Sequence, residues 1–238
     1  GLAGLTLALQ LRQQHPELDV TVIERRAHPV REAAHKVGES SVEIGAHYFA
    51  NVLGLREHLD AEQIRKFGFR FFFSDGSDQV DRCTELGVSQ LMPTPSWQID
   101  RGRFENHLGE RARALGVRFD DGAVVRGIDL ADDAADHVVH VERDGATQAL
   151  ACRWVVDASG RAGLLKRKLD LAIANDHNAN AVWWRVDGFV DPNAWSEDTQ
   201  WLQRCDPPDR WRSTNHMCGP GYWFWLIPLS SGAHSLGI

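Results

Sequence analysis

The first four residues, Gly1-Leu2-Ala3-Gly4, constrain the fold of this chain more than any other stretch, because a helix, a strand and an acid succeed them at fixed distances. Leu5, Leu7, Leu9 and Leu11 with Ala8 predict a helix over 5–14, which His15-Pro16-Glu17 ends. Val20-Thr21-Val22-Ile23 is a short β-branched run suited to a parallel strand, and Glu24 closes it. Glycine turn, helix, strand and terminal acid form the second half of a Rossmann βαβ unit. Gly1 lets backbone approach a pyrophosphate, and the helix start turns N–H groups without intrahelical partners toward it. Gly4 permits tight helix–strand packing. Glu24 is placed to accept hydrogen bonds from ribose hydroxyls. Gly1, Gly4 and Glu24 are therefore candidate dinucleotide-binding residues. The first glycine and strand of such a fingerprint would precede Gly1, so the fold is expected to be truncated at its start.

Further along, a polar connection leads to Lys36-Val37-Gly38-Glu39-Ser40-Ser41, and residues 42–59 look helical, with an end near Leu53-Gly54-Leu55. An aromatic strand is expected over 67–73, followed by a turn at Ser74-Asp75-Gly76-Ser77. Gln98-Ile99-Asp100-Arg101 precedes a helix with Phe104, Leu108, Ala112 and Leu115 on one face, and Asp100 is a natural N-cap. Short strands are expected around 117–129, 137–143 and 147–156, with a turn at Asp144-Gly145. Trp154-Val155-Val156-Asp157-Ala158-Ser159-Gly160 reads as a buried strand ending in an acid and a glycine turn. Residues 191–212, with three prolines and several acids, read as a surface excursion.

Composition excludes several classes. A net charge of −7 without a basic run disfavours nucleic acid and anionic membrane as partners. Cys83, Cys152, Cys205 and Cys218 are far apart and carry no metal-ligand spacing, which points to reduced thiols and a cytoplasmic location. His35, His47, His58 and His107 also lack metal spacing, so no metal is expected. No apolar run approaches the ~20 residues that span a bilayer. Seven of the nine tryptophans lie beyond residue 180. They suit either the core of an antiparallel sheet or an aromatic wall around a flat ligand.

Residues 223–228 read Trp-Phe-Trp-Leu-Ile-Pro. Trp223, Trp225, Ile227 and Pro228 match the W-x-W-x-I-P box of flavin-dependent halogenases at every fixed position. Gly38-Glu39-Ser40-Ser41 resembles the G-E-[AS]-T segment of the same enzymes, with Ser41 in place of threonine. The glycine turn with Glu24, the Gln98–Arg101 stretch and Asp157-Ala158-Ser159-Gly160 resemble features of the wider FAD-dependent monooxygenase class. The chain thus resembles the tryptophan halogenase-like family of that class.

The resemblance implies an α/β fold: a Rossmann-like FAD-binding part over 1–60 and 95–170, with an inserted antiparallel β-sheet and substrate-side part over 61–94 and 171–238. A C-terminal region holding a second catalytic glutamate and the halide site is expected beyond the chain, which makes the fold truncated at both ends. Implied FAD contacts are Gly1, Ala3, Gly4, Glu24, Arg25, Gly38, Glu39, Ser40, Arg101, Val125, Asp157 and Gly160. Arg101 either binds the diphosphate or pairs with Asp157 or Glu24. Asp157 is expected to organise the phosphate loop. Trp223, Trp225, Ile227 and Pro228 are expected along the path of an oxidant toward substrate.

In such enzymes reduced FAD and oxygen give a flavin hydroperoxide, halide attacks it, and the hypohalous acid meets a lysine followed five residues later by phenylalanine. Lys66 with Phe71 fits; the alternative is a solvated lysine opening an edge strand, and Lys36 is a weaker candidate. An amine in this role needs burial, which lowers its pKa and frees a lone pair. The expected function is halogenation of an electron-rich aromatic compound, free or carrier-tethered, with a separate flavin reductase as partner and halide as co-substrate. Alternatives are an aromatic hydroxylase or NAD(P)H-linked FAD reductase of the same fold, and a non-catalytic flavoprotein.

Overall fold

Apolar spacing and turn residues place most of the expected elements, and the exceptions are informative. The computed structural model describes residues 1–74, 76–132 and 135–238. Asp75 of the turn expected at 74–77 lies outside the described residues. In chain order the helices are α1 (Leu2–Gln14), α2 (Glu43–His47), α3 (Arg56–Glu62), α4 (Arg101–Ala114), α5 (Leu164–Lys168) and α6 (Thr199–Leu202). The first strands are β1 (Thr21–Glu24), β2 (Ile64–Arg65), β3 (Phe69–Phe73), β4 (Thr84–Gly87), β5 (Trp97–Gln98) and β6 (Arg118–Asp121). They are followed by β7 (Val124–Asp129), β8 (His137–Arg143), β9 (Ala146–Cys152) and β10 (Trp183–Asp187). The last three are β11 (Thr214–Gly219), β12 (Tyr222–Pro228) and β13 (Ala233–Gly237). The chain forms two compact units, 1–30 with 104–178 and 31–103 with 179–238.

In the first unit, α1 buries Leu5, Ala8 and Leu9, the i, i+3, i+4 stripe of its sequence. β1 pairs in parallel with β6, Thr21 opposite Arg118 and Glu24 opposite Asp121. Phe104, Leu108 and Ala112 of α4 are fully buried, as their spacing requires. The expected strand at 117–129 is two strands, divided at Gly122 with φ +68. β7, β8 and β9 form an antiparallel meander. Asp144 and Gly145 both take left-handed backbone between β8 and β9, which matches the twist of a two-residue hairpin. One expectation fails here. Residues 154–157 are not a strand, and Trp154 is 86% exposed. No strand among the described residues pairs with this run, so its β-branched sequence has no ladder to join.

In the second unit, six strands run in the order β10-β13-β12-β11-β3-β4, antiparallel except for the β3–β11 pair. β2 and β5 make a small antiparallel pair beside them in sequence. The helix expected over 42–59 is broken. α2 gives way to a π-turn at Tyr48–Val52, then Gly54 turns the chain at φ +68 before α3 begins. Gly68, at φ +100, similarly delays β3 to Phe69. Asp100 caps α4 as expected: its Oδ1 accepts from Gly102 N at 2.9 Å and Arg103 N at 3.3 Å. The same carboxylate accepts from Ala33 N at 3.0 Å and from Ser231 Oγ at 2.5 Å. Residues 191–212 are not merely a surface excursion. Trp201 and Arg210 are fully buried, and Arg210 lies 3.9 Å from the Trp201 ring. Arg210 Nε donates to Glu85 at 2.8 Å, and Arg70 pairs with the same carboxylate. The Arg210 guanidinium, stacked on Trp201 and paired with Glu85, anchors this proline-rich segment to the unit.

Candidate active site

The residues that the resemblance assigns to FAD fall in both units, and each set has its own geometry. In the first unit, Gly1 caps α1, and among the described residues no side chain makes a capping hydrogen bond to the helix start. A Cβ built on Gly1 would stand 3.9 Å from Glu24 Oε2, so turn and acid are brought together. Glu24 Oε1 also accepts from Arg26 N at 3.0 Å, while Arg25 is exposed. A Cβ added to Gly4 would stand 3.3 Å from the Ala158 Cβ, so Gly4 allows α1 to approach the Asp157–Gly160 turn closely. Asp157 accepts from Ser159 N at 2.9 Å and Leu165 N at 2.8 Å. Burial alone would raise its pKa, but Ser159 and the backbone N–H groups of Ser159, Leu165 and Lys166 hold it below the usual range. That makes Asp157 an organiser of its turn. Gly160 turns there at φ +61. Val125 adjoins a bulge in β7 and lines a cavity of about 200 Å³ with Ile128 and Leu164.

This set fits FAD. An uncapped helix start can receive phosphate oxygens, and a carboxylate at the strand end can receive ribose hydroxyls.

In the second unit, strand register builds the site. Residues directly opposite one another in a sheet share a face. Trp183 lies opposite Gly237, Gly237 opposite Trp225, Trp225 opposite His216, His216 opposite Phe71, and Phe71 opposite Leu86. One row thus crosses all six strands. Gly237 is required there, since a Cβ would stand 2.1 Å from Trp225 Cζ2. The neighbouring row on this face holds Arg185, Ser235 and Ile227, with Thr214 opposite Phe69. On the other side, Cys218 lies between Trp223 and Phe73. Trp223, Trp225 and Ile227 therefore share one face, whereas Pro228 ends the strand on the other.

The Gly38–Ser41 loop is held against this face. Ser40 Oγ is 2.6 Å from Thr214 Oγ1, Glu39 pairs with Arg185, and Ser41 O accepts from Lys66 Nζ at 3.1 Å. Gly38 turns at φ +91, and a Cβ there would stand 3.1 Å from Arg101 Nη1. Arg101 itself donates to Val37 O, so this arginine ties down the start of the loop. Burial drives the Glu39 pKa up to about 7, Asp100 adding to it while Ser235, Arg185 and Arg101 oppose.

Lys66 is 3% exposed, which removes the solvated alternative, and its Nζ stands 3.5 Å from the Phe69 ring centroid. Burial lowers its pKa to about 8, with Glu43 opposing. Beside it, His216 stacks on Phe71 at 4.8 Å and meets Trp223 edge-on at 6.2 Å. Burial, then the Lys66 charge, brings the His216 pKa down to about 4.

His216, Arg185 and Thr214 were not singled out by sequence. The signal for His216 was the Gly219-Pro220-Gly221 turn, which fixes it opposite Trp225. Among the described residues no group of three or more His, Cys, Asp or Glu forms a metal site, and no helix is long and apolar enough to cross a membrane.

Known proteins of similar sequence and structure give the chain a family. A family model described as an FAD binding domain matches residues 1–222. The flavin-dependent halogenase chlA of Dictyostelium discoideum is 27% identical over 266 residues, covering 100% of this chain and 43% of that protein. The 1H-pyrrole-2-carbonyl-peptidyl-carrier-protein brominase of Pseudoalteromonas luteoviolacea is 25% identical over 100% of this chain and 52% of its own length. This chain therefore spans about half, or less, of such relatives. The crystal structure of CmlS, a flavin-dependent halogenase, superposes with a TM-score of 0.70 at 26% identity, covering 99% of this chain and 38% of that one. The halogenase PltM in complex with phloroglucinol and FAD gives a TM-score of 0.72 at 16% identity, over 98% of this chain and 48% of that one, a likeness of fold.

Proposed function

The chain belongs to the FAD binding domain family, and on that premise we propose that the whole protein is an FAD-dependent halogenase of electron-rich aromatic compounds, with Lys66 as its catalytic residue. The observation that carries this reading is the Lys66 amine, buried beside Ser41 of the Gly-Glu-Ser-Ser loop on the sheet face that bears Trp223, Trp225 and Ile227. Bound and reduced, FAD supplies the two electrons with which oxygen is activated. By the resemblance, the residues that would hold it are Gly1, Ala3, Gly4, Glu24, Arg25, Gly38, Glu39, Ser40, Arg101, Val125, Asp157 and Gly160.

The chain's own residues then act on the halogen oxidant. Burial leaves Lys66 Nζ able to lose its proton, and the lone pair takes the halogen from hypohalous acid. An N–halogen bond forms, the O–halogen bond breaks, and water leaves. The amine is buried against the Phe69 ring, and Trp223, Trp225 and Ile227 would border the oxidant's path. A flavin reductase would supply reduced FAD, and halide is the co-substrate. The relative that acts on a carrier-bound pyrrole makes a tethered substrate a second form to assay.

The test uses the full-length protein with FAD, a flavin reductase, bromide and a panel of indoles, pyrroles and phenols. Bromide-dependent product carrying the bromine isotope pattern, abolished by Lys66→Ala with FAD retained, is the expected result. Hydroxylated product that ignores bromide would assign a hydroxylase instead. Unaltered halogenation by the Lys66→Ala variant would remove the lysine from the mechanism.

A further inference from the structure

One polar side chain at the centre of the aromatic face has no role in the chemistry above. His216 stands between Phe71 and Trp225 in the cross-sheet row, and its ring runs nearly parallel to Phe71, with an interplanar angle of 14°. Phe69 flanks the same imidazole at 6.0 Å, while Phe69, Phe73 and Trp223 remain substantially exposed. Its Nδ1 is buried and has no hydrogen-bond partner among the described residues. A buried polar atom without a partner costs stability comparable to a lost hydrogen bond. The ring as a whole is only half-buried and Nε2 is not closed off with Nδ1, so Nε2 is the atom that a ligand on the open face can meet.

We propose that His216 is a specificity-determining residue, whose imidazole hydrogen-bonds a ring hydroxyl or N–H of a flat aromatic compound seated against Phe69, Phe73 and Trp223. The inference rests on the halogenase reading for its substrate class and adds the feature of that class which is recognised.

The chemistry of the surroundings narrows the ligand. Burial, and then the charge of the neighbouring Lys66, keep the imidazole neutral at ordinary pH. A neutral imidazole offers one donor and one acceptor, which matches a phenol or an indole, both of which carry a hydrogen to donate. It offers nothing special to a carboxylate. Aromatic walls with a few placed polar groups are the usual form of small-molecule sites. The alternative, that His216 merely fills space among the phenylalanines, predicts that phenylalanine would serve there as well.

Resorcinol and m-xylene, which differ by methyl for hydroxyl, separate the two. Binding to the FAD-loaded full-length protein is followed by quenching of tryptophan emission, for wild type, His216→Phe and His216→Gln. FAD content and unfolding midpoint establish that each variant is folded. Wild type should prefer resorcinol. His216→Phe should weaken resorcinol roughly three- to tenfold, the range of one neutral hydrogen bond, and leave m-xylene unchanged, while His216→Gln keeps part of the preference. Equal loss for both ligands, no loss for resorcinol, or a wild type without preference would each overturn the proposal. Because binding is read without turnover, a His216-dependent preference in a protein that makes no brominated product would refute the halogenase reading alone.

Discussion

Titration of Lys66 is the most exacting test of the proposed chemistry. A lysine in water keeps its usual pKa of 10.5, so at pH 7 only about 0.03% of it is a free amine. Burial in this structure lowers that value to about 8, which leaves roughly 9% as free amine, a gain of about 300-fold. Attack on hypohalous acid needs the lone pair, so halogenation of indole, which does not titrate in this range, should rise with pH and level off above about 8. Competitive acetylation with acetic anhydride, read by mass spectrometry at Lys66, should show the same midpoint without any turnover. Lys66→Arg keeps the charge permanently and should lose product while retaining FAD. The lowered pKa also has a stability consequence. Between pH 8 and 10.5 the unfolded chain binds more protons than the folded one, so stability rises with pH across that window, and at pH 7 the buried ammonium is a liability. Lys66→Met should therefore abolish halogenation yet stabilise the fold by about 1–3 kcal/mol. A labelling midpoint at 10 or above, or a rate flat between pH 7 and 9, would refute the reasoning.

The geometry carries three further outcomes. Asp100→Ala removes an N-cap and the acceptor for Ala33 N and Ser231 Oγ, and should cost about 2–4 kcal/mol in chemical denaturation, whereas Asp100→Asn should cost less. Gly237→Val forces a side chain into the space of the Trp225 ring and should destabilise by about 1–3 kcal/mol or more, with a red-shifted tryptophan emission; a silent substitution would mean that the register is wrong. His216 is held neutral, so the unfolded chain binds the extra proton between pH 6.5 and 4. Stability should fall as acid is added through that window, and the fall should be shallower in His216→Phe.

Local sequence carried the first unit almost entirely. Gly1 and Glu24 lie within one helix and strand of each other, Gly4 serves a turn over 150 residues away that was itself legible as a motif, and α4 follows from the spacing of Phe104, Leu108 and Ala112 and a capping aspartate. Where the local rule failed, the cause was a partner at long range or a single glycine. Residues 154–157 have strand propensity but no strand beside them, and Gly54 with a π-turn broke a helix that periodicity alone would have continued. The polar, proline-rich composition of 191–212 concealed Trp201 and Arg210, because their burial depends on Glu85, more than a hundred residues away in sequence.

The candidate site shows the same limit more sharply. Lys66, Trp223 and Trp225 were legible as motif positions, yet a motif does not say which side chains share a face. That depends on register, and a one-residue slip would exchange every side chain between the two faces. The Gly219–Tyr222 pairing at the hairpin end sets His216 opposite Trp225, and the parallel β3–β11 pair then sets it opposite Phe71. Two sequence motifs more than 150 residues apart, Lys66 with Phe71 and the tryptophan box, meet only because β11 lies between them. The strand that neither motif mentions is thus the one that joins the amine to the aromatic face. A substitution that shifts the β11–β12 hairpin by one residue would leave both motifs intact in sequence, while moving His216 to the opposite face and separating it from Lys66.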